Sequence, residues 1–490
     1  MLPIIPDPAD YDVSVDTGFV PEILPLARLP DSYYDPWEAA IANLQFLVMT
    51  RQVRSVIDAP SFPLLSIAHL RTPAEQRRGY VILGFLANAY IWAGASASEE
   101  LPEVIARPLI ELSEILEVPP LATYAGLCLW NYRPLFADRA DPKQLDLANL
   151  ATLHTFTGSI DESWFYLVST AIEIRGAACL NYILDAIHAC RDDSPHDVVV
   201  ALHLLAESID GLIPDLARLP EQCDPHTFYY RIRPFLAGSK NMADAGLPRG
   251  VKYGYENYYR QYSGGSNAQS SLIQALDIGL GVVHRPTSSG SPFNSRSGSP
   301  TSANGSSNNF IHDMRKYMPG PHRRFLEQLE TCANIREYVR EHKSSSSALT
   351  LAYDACLAML RSFRDKHIQI VSRYIILQAK KTSSPTAAAP LPGATTKKDG
   401  LAAVVVGEKK NVRGTGGTAL LPFLKQARDE TGEPAAGSWA ARLLRDDAYV
   451  AKRKMRDAMG LGEPQSDEEK VVGLAGKWSV DDDYGGICHW

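Results

Sequence analysis

Apolar residues recur at intervals of three and four along most of the chain. In Leu101–Leu116 they fall at Val104, Ile105, Leu109, Leu112, Ile115 and Leu116, on one helical face. Ser163–Leu184 and Val198–Ile213 repeat the pattern. The period-two alternation between hairpin turns that marks strands is missing. The spacing predicts an all-α protein. Ser347–Lys380 contains no Gly or Pro and reads as one long helix. Its apolar stripe runs through Cys356, Leu360, Phe363, then Ile370 or Val371, then Tyr374. His367 sits on that stripe, four residues after Phe363 and four before Val371. Residues at i and i+4 share a face, so the imidazole points into the core.

Two segments interrupt the helical pattern. Residues 284–309 are rich in Ser, Gly, Asn and Pro, and residues 381–398 in Thr, Pro, Ala and Lys. Neither buries enough apolar surface to order itself, so both read as surface inserts. Met459–Trp490 is polar and acidic and reads as a poorly ordered tail. Breakers at Pro134, Asp138, Asp141 and Pro142 mark Asn131–Lys143 as a linker. These divisions predict a small N-terminal helical domain over 1–145, packed on a larger helical domain over 146–440. An extension over 441–490 follows.

Composition narrows the function classes. The chain has 490 residues, of which 45% are apolar, enough for a large core. Its net charge of -7 argues against a nucleic-acid surface, which needs a concentrated basic patch. The N-terminus has neither the basic nor the apolar region of a secretory signal. The longest apolar stretches fall short of a membrane span. A cytoplasmic protein that binds neither membrane nor nucleic acid is expected. The seven cysteines form no CxxC pair, so they read as reduced core thiols rather than disulfides or a zinc site.

A buried neutral imidazole needs partners for both ring nitrogens. Core hydrogen bonds meet that need for His367. So does iron ligation through Nε2, with Nδ1–H given to a neighbouring acceptor. Periodicity leaves both readings open. The remaining histidines form no paired metal spacing such as HExxH.

The residues around His367 resemble a known family. Ala352–Ile375 resembles the haem-ligand helix of the indoleamine 2,3-dioxygenases, and Phe310–Leu326 resembles the segment before it. Gly264-Gly-Ser-Asn-Ala-Gln-Ser-Ser is similar to the loop over the haem edge. Phe165-Tyr-Leu-Val-Ser and Phe228-Tyr-Tyr-Arg-Ile-Arg resemble distal-pocket segments. Arg413-Gly-Thr-Gly-Gly-Thr resembles a mobile Gly-rich loop. The order along the chain agrees, over roughly Leu29–Ala427. The long inserts and tail resemble a fungal-type member.

The resemblance implies an all-helical fold in which a small domain covers a larger one holding haem b. It implies cleavage of the indole C2–C3 bond of L-tryptophan by O2, giving N-formylkynurenine on the route to NAD, by a monomeric enzyme. His367 is then the proximal iron ligand, with Asp277 and Arg364 beside it. Either of the pair can also be read as a plain ion-pair partner, and Arg364 also suits a haem propionate. Arg233 takes the substrate carboxylate, since a guanidinium can grip it bidentately. On the residues alone, Arg231 is as good a choice. Tyr124, Phe165 and Phe228 wall the indole, although bare sequence reads all three as core. Ser169 is the small distal hydroxyl, and no side-chain base is expected. Ser266, Asn267 and Ala268 lie over the haem edge, where Ser266 meets a propionate or the substrate ammonium. Gly414, Gly416 and Gly417 belong to a closing loop in which Thr415 bonds the substrate. That loop lacks the GK[ST] ending of a P-loop, which excludes nucleotide binding.

The chain departs from the family at Tyr166, where mammalian-type members carry a second phenylalanine. Leu127, Cys128 and Asn267 also differ. These changes bear on affinity and on D/L preference. They keep open an alternative: a haem paralogue with weak tryptophan activity, acting as an O2 sensor or on another indole. A helical interaction protein without haem is the third reading.

Overall fold

The computed structural model describes residues 2–136, 145–285, 310–379 and 420–444, with the backbone of two short strands, Lys470–Gly473 and Gly476–Ser479. The described chain is predominantly helical, as the periodicity predicts. Pro73–Trp92 begins with a reciprocal cap, in which Thr72 and Glu75 each satisfy the other's backbone N–H. From Arg78 to Ile91 this helix is buried on every face, so it runs through the core rather than along its surface. Glu103–Leu116 packs against it. Ser347–Val371 lies along Pro195–Asp210, which in turn packs on Ala177–Arg191. Ser346 caps the long helix by accepting from Leu349 N at 3.2 Å. One buried apolar cluster runs from Val13 to Leu444.

Several expectations shift in detail. Ser163–Leu184 is two helices, Ile160–Arg175 and Ala177–Arg191, separated at Gly176. A Cβ there would overlap the Leu272 side chain, so glycine lets the Ser271–Gly279 helix pass closely at this point. Together the pair is long and apolar enough to cross a membrane, contrary to the reading of shorter runs, but most of its apolar window is buried in the core. Glu100–Leu101 is a strand beside Val251–Tyr253, which pairs with Tyr259–Arg260. Tyr132–Pro134 pairs antiparallel with Leu150–Thr152, so the expected linker opens with a short ladder, and residues 137–144 lie outside the described residues. The insert over 381–398 and residues 286–309 of the other insert lie outside them too. His284, placed at the start of that insert from composition, is instead a buried side chain. Within the expected tail, Lys470–Gly473 pairs antiparallel with Gly476–Ser479.

Two chain segments cross almost in contact near Gly238 and Gly264. Ser239 N and Lys240 N both donate to Tyr262 O, at 2.8 and 2.9 Å. A Cβ on Gly264 would overlap Leu236 O, and one on Gly238 would overlap Tyr262 O. Both obstacles are backbone and cannot swing aside. Gly264→Ala should therefore destabilise the protein by about 1–3 kcal/mol, the usual cost of overpacking. A denaturation midpoint equal to that of the unsubstituted protein would contradict the close crossing.

Candidate active site

The helices enclose a cavity of about 240 Å3 with a mainly apolar lining. A water's share of liquid volume is about 30 Å3, so the space is on the order of eight waters. Separate parts of the chain build its wall. Ile160–Arg175 contributes Phe165, Tyr166, Ser169 and Ile172. Ser347–Val371 contributes Phe363, Arg364 and His367. Leu420–Thr431 contributes Leu420, Phe423, Leu424 and Ala427. Three wall segments are π-helical turns: Ala125–Leu129, Phe228–Ile232 and Ser372–Ile376. Such wide turns re-aim side chains within helical segments and concentrate at functional sites. Here they bring Leu127, Cys128, Phe228, Tyr374 and Ile375 to the cavity.

His367 lies on this wall, as its stripe position predicts. Its side chain is partly open to the cavity yet remote from bulk solvent. Burial, and secondarily the Arg364 charge, push its pKa down to about 4, so the ring is neutral at neutral pH. Among the described residues it makes no hydrogen bond. A neutral imidazole with its lone pair uncommitted is the form that ligates iron.

Beside it, Arg364 Nη2 donates to both Asp277 oxygens, at 2.8 and 2.7 Å, and Nη1 donates to Thr431 Oγ1. His284 continues the chain, with Nε2 at 3.0 Å from Asp277 Oδ2 and Nδ1 at 2.7 Å from Glu430 Oε2. Burial opposes ionisation of Asp277, but Arg364 and His284 outweigh it and lower its pKa. Burial likewise opposes the charge on His284, while Asp277 and Glu430 raise its pKa overall. This network ties the Ser347–Val371 helix to Leu420–Thr431. Asp277 and Arg364 line the cavity with His367, and their pair is complete without it.

The remaining predicted residues gather on the same cavity. Arg233 is 2% exposed and stacks over the Tyr229 ring at 5.2 Å, whereas Arg231 points to solvent, which separates the two arginines. Burial lowers the Arg233 pKa, and Tyr229 partly offsets that. The Phe165 and Phe228 rings lie 4.7 Å apart, and Phe228 meets Tyr374 edge-on at 5.8 Å. Ser169 Oγ lies a long 3.4 Å from Phe165 O. Ser266, Asn267 and Ala268 form a turn on the wall, with Ser266 Oγ accepting from Ala268 N at 3.3 Å. The Tyr124 hydroxyl donates to buried Glu173 at 3.0 Å. Tyr166 donates to buried Glu162 at 2.9 Å. Gly414, Thr415, Gly416 and Gly417 lie outside the described residues.

A model of the indoleamine 2,3-dioxygenase family matches residues 7–434. The chain belongs to that family. The indoleamine 2,3-dioxygenase of Saccharomyces cerevisiae is 46% identical over 86% of this chain and 92% of its own length. The 6-hydroxytryptophan 2,3-dioxygenase of Fusarium equiseti is 34% identical over 87% and 98%. Indoleamine 2,3-dioxygenase 1 of Mus musculus is 33% identical over 88% and 96%. The chain is thus similar to members of the indoleamine 2,3-dioxygenase family from fungi and from a mammal.

Sequence reasoning missed His284, Glu430, Thr431 and Glu173. The Ser- and Gly-rich run that follows His284 masked it. Glu173 had a legible signal: the one carboxylate inside the apolar run Trp164–Ile174, four residues after Ser169. The His284 link also generates a pH prediction. Its folded pKa is raised above the ordinary 6.5. Its contribution is therefore full below about pH 6.5 and fades as pH rises through the folded value. His284→Leu takes the cation shared by Asp277 and Glu430 while Arg364, Arg285 N and Gln426 still serve them, and should cost about 1–3 kcal/mol at pH 6. Urea denaturation should show that gap narrowing towards pH 9, and a gap independent of pH would refute a charged His284.

Proposed function

We propose that this chain is a haem b-dependent dioxygenase that cleaves the indole C2–C3 bond of L-tryptophan to give N-formylkynurenine. The observation that carries the reading is the neutral imidazole of His367 on the wall of a large apolar cavity, with no hydrogen bond among the described residues. The donor set fits haem: one imidazole, apolar walls, and polar groups confined to particular edges. When bound, the haem supplies the iron chemistry by which both atoms of O2 enter the indole. His367 would hold the iron. The Arg364–Asp277 pair would fix the helix that carries it.

The protein's own task is recognition and orientation. Arg233 is buried where a carboxylate would be stripped of water, so a bidentate guanidinium grip is worth most there. Phe165 and Phe228 offer aromatic faces to a flat bicyclic ring. Tyr124 completes that wall. Ser169 is small enough to leave room beside the ring, and its weakly engaged hydroxyl can turn to a ligand. Ser266 and the Asn267–Ala268 turn would meet the substrate ammonium or a haem propionate. The Asp277 carboxylate is occupied by Arg364 and His284, which leaves it no role as a base. Thr415 and the glycines around it would close over the substrate.

The paralogue with weak tryptophan activity, acting as an O2 sensor or on another indole, shares this haem site, so one experiment separates the readings. The purified protein, reduced and given O2 and L-tryptophan, should show a haem Soret band and accumulate N-formylkynurenine absorbance. A Soret band without product would favour the paralogue, and no haem after reconstitution would overturn both. His367→Ala should abolish the Soret band while leaving the far-ultraviolet circular dichroism helical. Arg233→Lys should lower kcat/KM roughly 10- to 100-fold, since a lysine cannot reproduce the two-point grip worth about 1.5–3 kcal/mol.

A further inference from the structure

Glu173 is 1% exposed and sits one helical turn beyond Ser169. Its Oε1 accepts two hydrogen bonds, from Tyr124 OH at 3.0 Å and from Ser270 Oγ at 2.5 Å. Its Oε2 is buried with no partner among the described residues. Both donors line the cavity, and they come from different parts of the chain. Gln269 makes a parallel tie: its Oε1 accepts from Tyr124 N at 2.9 Å and its Nε2 donates to Gly264 O at 2.8 Å. Glu173 is thus the point at which the Ile160–Arg175 helix, the Tyr124 turn and the Ser266–Ser270 turn meet.

We propose that Glu173 is a positioning residue, locking three walls of the cavity in their substrate-binding arrangement through Tyr124 and Ser270. The proposal rests on the dioxygenase reading for what the cavity binds, and on geometry alone for the lock. An ionised carboxylate here would leave a charged oxygen bare in the interior, whereas protonation removes that charge. Burial accordingly pushes the Glu173 pKa up to about 7, against the two hydrogen bonds that lower it. The titratable groups that face it are Tyr124 and Cys128 from the adjoining turn, and burial raises the pKa of both. No cation acts on it among the described residues. Its proton is therefore held below pH 7 and lost above it; ionisation strengthens the two accepted hydrogen bonds but leaves Oε2 charged and bare, and relieving that charge with water opens the lock. Ser270 also caps Ser271–Gly279, so loosening reaches the helix that carries Asp277.

The test titrates the ferric holoenzyme with L-tryptophan, followed by the Soret shift, between pH 6 and 8.5. The wild type should lose at least three-fold in affinity across that range. E173Q keeps the two acceptor bonds without a titrating proton, so its affinity should be flat with pH. E173A should bind at least ten-fold more weakly at pH 6. A pH slope in E173Q equal to that of the wild type, or normal binding by E173A at pH 6, would overturn the proposal. Thermal unfolding of the same preparations is independent of substrate. The wild-type midpoint should fall relative to that of E173Q from pH 5 to 7.5, because the raised folded pKa loses stability as pH rises through it. Coincident profiles would equally overturn the proposal. Protein purified without haem would sink the dioxygenase reading alone, and the thermal comparison would still decide whether Glu173 is the neutral node.

Discussion

The cavity depends on a desolvated ion pair. A large hollow in a helical core forfeits packing contacts around its whole surface, so something other than apolar contact has to hold its walls apart. Arg364 and Asp277 do this on the side of His367. Each is costly to bury alone, and together they satisfy each other through two hydrogen bonds. The pair has a directional logic as well. Asp277 lies in the last turn of Ser271–Gly279, where the helix dipole disfavours a negative charge. It is tolerated there because a guanidinium from the long helix faces it. The requirement for a partner therefore fixes the approach of the two helices.

Much of this was legible in the chain before any coordinates. The spacing of Cys356, Leu360 and Phe363 settled which face of the long helix is buried, and with it the direction of His367. A ligand role for His367 was not legible from spacing, because a core histidine obeys the same periodicity. It entered through the resemblance of several ordered segments. The π-helical turns were invisible, since inserting one residue into a helix leaves no mark on an apolar pattern of three and four. They matter here because they set Leu127, Cys128, Phe228 and Tyr374 on the cavity wall.

The failures have local physical causes. Composition assigned His284 to an insert because the residues after it are Ser, Gly and Pro, yet a single buried imidazole can be fixed by two carboxylates without any apolar context. Gly176 was read through because one glycine is compatible with a helix. The reason for it lies in Leu272, nearly a hundred residues away, and no local window contains that information. Arg231 and Arg233 were equivalent by composition. The wide turn over Phe228–Ile232 separates them, leaving one exposed and turning the other inwards.

Ser271–Gly279 links the two polar centres of the site. Ser270 at its start binds Glu173, and Asp277 near its end binds Arg364. It is nine residues long and mostly buried, so its two ends are held in fixed register by packing. Glu162 plays a comparable part at the start of the neighbouring helix, accepting from Phe156 N, Thr157 N and Tyr166 OH. The walls that carry Tyr124 and Arg364 are in this way joined through buried carboxyls, each of which accepts hydrogen bonds from other segments of the chain.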